Sequence, residues 1–151
     1  LTQIKNNLTW LQIIPHGLYH EGKEMRDGDY LSFKGDTLFL INERFTKDGL
    51  PYEKGFCAPH YSWNPEIVRA LDDEGWWGAI PRDKVIPTPK RFYKFSHMIN
   101  EPFWESPEPI LKLHGHIYGT KSDLGKCFDN LFKLPIDTDW HFCTDFLEEK
   151  T

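Results

Sequence analysis

Apolar and polar positions near the middle of the chain recur with the spacing of a helix that has one buried face. Ile67 and Leu71 lie four positions apart, so they share one side of a helix. Asn64 comes before Pro65, and an Asn N-cap followed by Pro in the first turn is typical of a helix start. The pattern predicts a helix over 65–73.

The same spacing recurs towards both ends of the chain. Leu124, Cys127 and Leu131 fall at positions i, i+3 and i+7 of a possible helix. Pro135 follows at the point where such a helix would end. Further helices are therefore predicted over 2–12, 122–133 and 139–149.

A two-residue alternation, which is typical of a strand with one buried face, is clearest over 110–118. Leu111 and Leu113 share one side of such a strand, and His114 and His116 share the other. Shorter apolar runs bounded by Gly and Asp also indicate strands. Strands are predicted over 30–33, 37–41, 76–80, 90–95 and 110–118.

Frequent Gly and Pro residues favour short elements joined by ordered loops. Segment 43–63, which holds several aromatic residues, is predicted to be a long loop that packs against the body of the protein. A length of 151 residues is typical of one domain. We therefore expect an α+β fold with a single domain over 1–151, in which short helices flank an antiparallel sheet.

Two segments, 17–41 and 75–85, resemble parts of SH3 domains. Residues 17–19 are similar to the Ala-Leu-Tyr start of that family, and residues 29–36 are similar to its acidic loop and the strand that follows. Residues 75–77 are similar to its tryptophan strand, and the Ile-Pro-Arg-Asp-Lys-Val that comes soon after is similar to its Ile-Pro-Ser-Asn-Tyr-Val element. Together the two segments cover less than half of the chain.

The resemblance implies an SH3-like partial barrel as an alternative form of the sheet, with a groove that binds proline-rich peptides. Tyr19, Trp76 and Pro81 stand at positions that match the aromatic groove of the family. Glu21 and Lys84 stand where the family has two further tyrosines. Because stacked rings hold a polyproline helix, the loss of two of them implies weak binding of such peptides.

The charge balance argues against two classes of partner. The chain has 23 acidic and 18 basic residues and a formal net charge of −5. Proteins that bind nucleic acids or anionic membranes need a basic face, so neither is expected as a partner. No apolar run in the sequence approaches the roughly 20 residues of a membrane-spanning helix.

The cysteines indicate the compartment. Cys57, Cys127 and Cys143 are an odd number, and none has a partner at short spacing. A small disulfide-rich secreted protein would have an even and denser set. Reduced thiols fit this pattern better, so we expect a cytoplasmic protein.

The His-Gly-His sequence at 114–116 is the most specific chemical pattern. Residues two apart on a strand project from one face, so His114 and His116 could reach one metal ion or one phosphate. His141 and Cys143 repeat this spacing, but they fall in a predicted helix, where the two side chains diverge. Because a complete ligand motif is missing from the sequence, no bound metal or other cofactor is expected.

Other histidines lie in predicted loops. His16, His20 and Glu24 are spaced by four, but the glycines among them disfavour a helix, so a solvated loop is expected. Cys57 and His60 are close in sequence, and such a pair can activate a thiolate. The His-Tyr-Ser sequence that starts at His60 resembles one of the two elements of two-histidine phosphodiesterases, and the second element is incomplete.

Aromatic residues are abundant, with 6 Trp, 6 Tyr and 11 Phe, and several lie in Pro- and Gly-rich loops. Rings in such loops are typical of protein–protein contacts. We therefore expect a protein-interaction module, an adaptor or an inhibitor, that binds a protein partner. The expected contact residues are Tyr19, Tyr52, Tyr61, Trp63, Trp76, Trp77 and Pro81.

Two alternative functions stay open at this point. The first is a small hydrolase or phosphodiesterase with His114 and His116 as its catalytic residues. The second is a nucleotide- or small-ligand-binding protein, in which the aromatic side chains stack on a base. The sequence does not decide whether the chain is an enzyme.

Overall fold

The computed structural model describes residues 2–116 and 124–150. Its α-helices are α1 (Thr2–Lys5), α2 (Gly22–Arg26), α3 (Tyr30–Ser32), α4 (Phe39–Asp48), α5 (Pro65–Asp73) and α6 (Leu124–Leu131). Shorter 3₁₀ turns span Pro59–Tyr61, Phe103–Glu105 and Cys143–Phe146. Among these described helices, none combines the length and the apolar character that crossing a bilayer requires.

The strands in the described residues form a main sheet and a small second sheet. The strands are β1 (Gly55–Cys57), β2 (Trp77–Ile80), β3 (Arg91–Lys94), β4 (His97–Met98), β5 (Leu113–His114) and β6 (Glu148–Glu149). The main sheet has the order β1-β2-β3-β6, and β4 pairs with β5. Helices together with a mixed sheet confirm the α+β class.

The main sheet is mostly parallel. β1 pairs with β2 in parallel, with Phe56 opposite Gly78, and β2 pairs with β3 in parallel, with Ala79 opposite Tyr93. β3 and β6 are antiparallel. The prediction of an antiparallel sheet is therefore wrong for both pairs that involve β2. The chain returns to the starting edge through α5 between β1 and β2, and through segment 81–90, which contains no helix, between β2 and β3. The described strands close no barrel.

Helix α5 lies where the sequence predicts it. The side chain of Asn64 accepts a hydrogen bond from the backbone N–H of Ile67 at 3.0 Å, and Pro65 occupies the first turn. Ile67 and Leu71 are completely buried against the sheet. The helix predicted over 65–73 is thus confirmed, and the strands predicted over 76–80 and 90–95 are confirmed as β2 and β3.

Residues 30–48 are helical, so the strands predicted over 30–33 and 37–41 are wrong. Asp29 caps this segment, because its carboxylate accepts hydrogen bonds from the backbone N–H groups of Leu31 and Ser32. A π-helical stretch, Phe33–Leu38, connects α3 to α4. The predicted loop 43–63 therefore begins inside α4 and contains β1.

The spacing of buried residues explains this difference. Phe33, Leu38 and Ile41 are buried, and they lie five and three positions apart. A five-residue step matches the wider turn of a π-helix. Gly35 and Asp36, whose sequence is typical of a turn, instead lie on the exposed side of the helical segment. Short apolar runs do not distinguish a strand from one buried helix face.

The two ends of the chain also differ from their predictions. The helix predicted over 2–12 is helical only at α1, since the Asn residues that follow favour turns. The helix predicted over 139–149 is wrong, because this segment forms the Cys143–Phe146 turn and β6. Trp140, which that helix would have buried, is 64% exposed.

Two predicted elements extend into residues that the structure does not describe. Of the strand predicted over 110–118, only Leu113–His114 forms a strand, β5; residues 110–112 and 115–116 are not in a strand, and residues 117–118 lie outside the described residues. The helix predicted over 122–133 is confirmed as α6, and residues 122–123 lie outside the described residues.

The core occupies both faces of the main sheet. On one face, Phe56 and Trp76 pack with α5 and with the helical segment 30–48. On the other face, Trp77, Ala79 and Tyr93 form a second buried cluster. The consecutive tryptophans therefore point to opposite faces, as the alternation of a strand requires.

Candidate functional site

The carboxyl ends of the parallel strands meet at one edge of the main sheet. β1 leads into the turn Pro59–Tyr61, β2 leads into 81–83, and β3 leads into 95–97. In parallel sheets, ligands bind at this edge, where the loops that follow the strands converge. A cavity of about 100 Å³ lies here, lined by Tyr61, Pro81, Arg82, Asp83, Phe95, His97, Met98, His114 and His116.

Tyr61 and His114 form the polar centre of the cavity. The Tyr61 hydroxyl lies 2.9 Å from Nε2 of His114, and Nδ1 of His114 lies 3.4 Å from the sulfur of Met98. The same hydroxyl lies 3.2 Å from Nδ1, so a neutral His114 can share a hydrogen bond with Tyr61 through either ring nitrogen. The ring of Phe95 packs on His114, with ring centroids 4.5 Å apart. The cavity thus combines a hydrogen-bonded pair with aromatic walls.

The protein environment keeps this pair uncharged. Burial, and then the neighbouring imidazoles of His116 and His16, lower the pKa of His114 to about 4. Burial raises the pKa of the Tyr61 hydroxyl well above its usual value. Both groups are therefore neutral at physiological pH, and the centre of the cavity offers hydrogen-bonding atoms without a formal charge.

The charged groups at the rim of the cavity bind one another. The guanidinium group of Arg82 lies 3.1 Å from Asp83 and 2.9 Å from Glu101. It also donates a hydrogen bond to the backbone carbonyl of Ser96. Because two carboxylates balance the charge of Arg82, the rim does not form a basic patch.

The loop that follows β1 has an unusual backbone conformation. His60 and Tyr61 have φ angles of 54° and 51°, and His20 has a φ of 59°. Residues other than glycine rarely adopt positive φ, and a bulky aromatic residue such as Tyr61 does so least easily. Strained residues of this kind concentrate at functional sites. All three lie beside the cavity or in ring contact with its neighbours.

Five histidines lie close together here, and we call His16, His20, His60, His114 and His116 the histidine cluster. The ring centroids of His16 and His20 are 4.8 Å apart, and those of His20 and His60 are 5.4 Å apart. The rings of His114 and His116 are 4.7 Å apart. The chain folds these residues together from three separate segments.

Cys57 lies next to the histidine cluster. Nδ1 of His16 lies 2.6 Å from the Cys57 carbonyl oxygen, to which it donates a hydrogen bond. Burial raises the pKa of the Cys57 thiol to about 12. This residue is therefore a protonated thiol at neutral pH, and its environment does not support a nucleophilic Cys57–His60 pair.

Part of the residue set expected from the sequence comes together at the cavity. Tyr61, Pro81, His114 and His116 all line it. His114 and His116 share this site, although only His114 belongs to a strand. Two of the expected contact residues, Tyr61 and Pro81, therefore lie in the same cavity as the expected catalytic pair.

The other expected contact residues lie elsewhere. Trp63, Trp76 and Trp77 are 5%, 4% and 3% exposed, so they are core residues in this structure. Tyr52 is half-buried and packs against the core, and Tyr19 is 69% exposed. The three tryptophan rings are buried because the sheet is covered on both faces.

The sequence patterns missed several residues that line the cavity, namely Arg82, Asp83, Phe95, His97 and Met98. Each lies directly after a strand or in the next short strand. The sequence signal for these five residues is that they lie at or just after the ends of the predicted strands. That signal becomes informative only when the strands are known to be parallel.

The described histidines and cysteines do not assemble a metal centre. Within residues 2–116 and 124–150, no group of three or more His, Cys, Asp or Glu side chains has the geometry to hold a metal ion. His141 lies 3.0 Å from Asp139 and 3.6 Å from Asp145, and Cys143 contacts Gln12. The i, i+2 pair of His141 and Cys143 therefore has its own local contacts.

In comparisons with known proteins, no family model, no curated protein and no solved structure matches this chain. The geometry of the cavity is therefore the basis on which its function is inferred.

Proposed function

We propose that this chain binds a small ligand with one planar, uncharged, polar ring, such as a pyrimidine base, in the cavity at the carboxyl ends of β1, β2 and β3. The observation that carries the proposal is the neutral Tyr61–His114 pair, which packs against the ring of Phe95 at this edge of the sheet. Small-ligand sites are typically apolar clefts with a few convergent polar groups.

The size of the cavity limits the ligand. Its volume of about 100 Å³ exceeds the roughly 10–15 Å³ that one water molecule needs. It is far below the roughly 300–1,000 Å³ of sites that enclose drug-sized ligands. One small ring matches this volume, whereas the sugar and phosphate of a whole nucleotide would lie outside the cavity.

The chemistry of the lining favours an uncharged ring. The Tyr61 hydroxyl can donate to His114 and still accept a hydrogen bond from a ligand N–H group. Phe95 offers an aromatic surface for stacking. A charged ligand would lose its hydration without meeting an opposite charge, because Arg82 and Asp83 at the rim already bind each other.

Titration with uracil and cytosine tests this proposal. We expect saturable binding to the wild-type chain in calorimetry, with chemical-shift changes at Tyr61 and His114. Tyr61→Phe keeps the ring and removes the hydroxyl, so it should weaken binding by about tenfold, the effect of one lost hydrogen bond. Tyr30→Phe is the matched control, because the Tyr30 hydroxyl binds Asp73 on the surface and its removal should leave binding unchanged.

Two results would overturn the proposal. One is the absence of saturable binding for both bases. The other is equal binding by the wild type and Tyr61→Phe, which would place the ligand away from the cavity. Benzoate, which has a similar ring and a negative charge, should bind more weakly than uracil if the neutral centre of the cavity sets the specificity.

A hydrolase or phosphodiesterase is the second candidate, and the strained loop at His60 and Tyr61 favours it. The ring of His116 is exposed at the mouth of the cavity, 4.7 Å from His114. An exposed imidazole can take a proton from a water molecule that attacks a bound ester or phosphodiester. In this arrangement, the side chains of Tyr61 and His114, which are hydrogen-bonded to each other, orient the bound substrate.

Chromogenic substrates distinguish catalysis from binding alone. If the chain is a hydrolase, it should hydrolyse p-nitrophenyl acetate or bis(p-nitrophenyl) phosphate above the rate in buffer. His116→Ala should lower that rate by about a hundredfold or more, the usual contribution of a general base. His141→Ala is the control, because His141 lies in separate contacts with Asp139 and Asp145. Equal rates in His116→Ala and the wild type would exclude this role.

The protein-interaction module expected from the aromatic loops stays a prediction. Of its expected contact residues, Tyr19 is highly exposed, and the three tryptophans are buried. The peptide-binding role implied by the SH3 resemblance likewise stays a prediction, and the cavity does not depend on it.

A further inference from the structure

The histidine cluster joins three segments that are far apart in sequence. His16 and His20 belong to the N-terminal segment, His60 belongs to the turn after β1, and His114 and His116 belong to β5 and the residues after it. Besides the ring contacts, His16 interacts electrostatically with His60 and His116, and His114 interacts with His16. His16 therefore lies within range of the charge of the other four imidazoles.

Backbone and side-chain hydrogen bonds hold the N-terminal segment against the edge of β1. The N–H of Glu53 donates to the carbonyl of Ile13 at 2.8 Å, and the N–H of Cys57 donates to the carbonyl of Pro15 at 3.1 Å. Nδ1 of His16 donates a further hydrogen bond to the Cys57 carbonyl. The histidine cluster thus lies where the N-terminal segment contacts the sheet.

Several charged and titratable groups lie around the cluster. Glu24 of α2 accepts hydrogen bonds from the backbone N–H groups of Leu18 and Tyr19, so its carboxylate faces the N-terminal segment. Lys84 donates to the carbonyl of His60 and lies 5.5 Å from the Tyr61 ring. Cys57 accepts the His16 hydrogen bond through its carbonyl, and Tyr61, Arg82, Asp83 and His97 line the cavity with His114 and His116. Glu108 lies 4.0 Å from His97.

We propose that the histidine cluster is a pH-sensitive latch, which holds segment 13–20 against β1 and the turn Pro59–Tyr61 when the imidazoles are neutral and releases it when they are protonated. Neutral imidazoles pack ring against ring without repulsion, whereas protonated ones place like charges about 5 Å apart.

The environment of two members supports this direction. Burial, and to a smaller extent the neighbouring histidines His20, His116 and His60, lower the pKa of His16, while its hydrogen bond to the Cys57 carbonyl acts in the opposite direction. Burial, and then His116 and His16, lower the pKa of His114. Protonation of either group is therefore coupled to movement away from its neighbours. Release of segment 13–20 also frees the turn that carries Tyr61. The ligand should therefore dissociate at low pH, a consequence that rests on the proposed function.

Hydrogen exchange of the free protein tests the latch without any ligand. Protection of the Cys57 and Leu18 amides is compared at about pH 7.5 and about pH 5, after correction for the intrinsic exchange rate, because histidine titrates between these values and most Glu residues do not. In the wild type, we expect protection to fall by about tenfold or more at the lower pH. A tenfold loss corresponds to a histidine pKa that differs by about one between the held and the released segment.

A triple variant, His16→Asn, His20→Asn and His60→Asn, removes three of the five imidazoles and keeps the local structure. Asn tolerates the positive φ of His20 and His60, and its amide can replace the Nδ1–H of His16. The variant retains Glu24 and the Tyr61–His114 pair. We expect its protection to change by less than about twofold between the two pH values, and a wild-type-like loss in the variant would overturn the latch.

His116→Lys provides an independent test that does not need the triple variant to fold. It places a permanent positive charge beside His114 and within range of His16. We expect it to lower Cys57 protection at about pH 7.5 by about tenfold, towards the acidic value of the wild type. His141→Lys, in its separate contacts, is the control. Unchanged wild-type protection at both pH values would refute the latch, whereas failed uracil binding at about pH 7.5 would refute only the proposed function.

Discussion

At the scale of single residues, the packing of the sheet depends on large rings that occupy the space beside glycines. An added Cβ at Gly78 would lie 2.5 Å from Cη2 of Trp63, and one at Gly55 would lie 2.2 Å from Cζ2 of Trp77. These distances are shorter than any ordinary contact, so each glycine makes room for one indole ring. Trp63 also donates a hydrogen bond from Nε1 to the carbonyl of Pro87 at 2.8 Å.

The burial of Trp63 predicts that its loss affects folding before it affects any contact with another molecule. Trp63→Ala should lower the free energy of unfolding by about 3–5 kcal/mol, because it leaves a large cavity in the core. Trp140→Ala is the matched control, since Trp140 is 64% exposed and should change stability by less than about 0.5 kcal/mol. Urea denaturation measures both. Equal stability of the two variants would show that Trp63 is a surface residue.

At the scale of secondary-structure elements, the strongest local signal is the start of α5. The side-chain oxygen of Asn64 caps the helix, and its amide group donates to the backbone carbonyls of Arg26 and Gly28. One residue therefore fixes the first turn of α5 and also joins it to the loop after α2. The cap is local and can be predicted from the sequence. The two hydrogen bonds donated by the Asn64 amide group depend on the tertiary fold.

Two substitutions at Asn64 separate these roles. Asn64→Asp keeps the capping oxygen and loses the amide donors, whereas Asn64→Ala loses both. We expect Asn64→Ala to cost about 2 kcal/mol or more of stability, since a lost cap alone costs about 1 kcal/mol. Asn64→Asp should fall between Asn64→Ala and the wild type. Thermal denaturation measures the order of the three proteins, and an Asp variant as unstable as the Ala variant would mean that the cap contributes nothing.

At the scale of the whole molecule, the buried histidines link stability to pH. The folded state lowers the pKa of His16 and His114, to about 4 for His114. An unfolded histidine titrates near pH 6.5, so between about pH 6.5 and 4 the unfolded chain binds more protons than the folded chain. The contribution of these residues to stability is therefore complete above about pH 6.5 and decreases as the pH falls.

This linkage predicts a lower urea midpoint at about pH 5 than at about pH 7.5. His114→Gln should reduce the difference, because glutamine keeps a hydrogen-bonding group for Tyr61 and does not titrate. Changing His141 to Gln is the control and should preserve the full difference, since this half-exposed residue lies outside the cluster. A midpoint that is independent of pH would contradict the burial of the two histidines.

The sequence by itself determined the features that arise from neighbouring residues. The Asn64–Pro65 start, the apolar face of α5 and the β-branched and aromatic residues of β2 and β3 each act within one element. The His-Gly-His spacing likewise indicated that His114 and His116 share one site, and both line the cavity. Local backbone preferences and side-chain spacing are sufficient for conclusions of this kind.

The tertiary structure alone decided the direction of the strands, the helical state of 30–48 and the composition of the cavity. Strand direction depends on how α5 and segment 81–90 return the chain to the starting edge, which no local pattern records. Phe33 and Leu38 become helical because one face of that segment packs against α5 and β1. His16, His60 and His114 meet only after the sheet forms, because contacts between distant residues depend on the packing of the whole chain rather than on spacing along it.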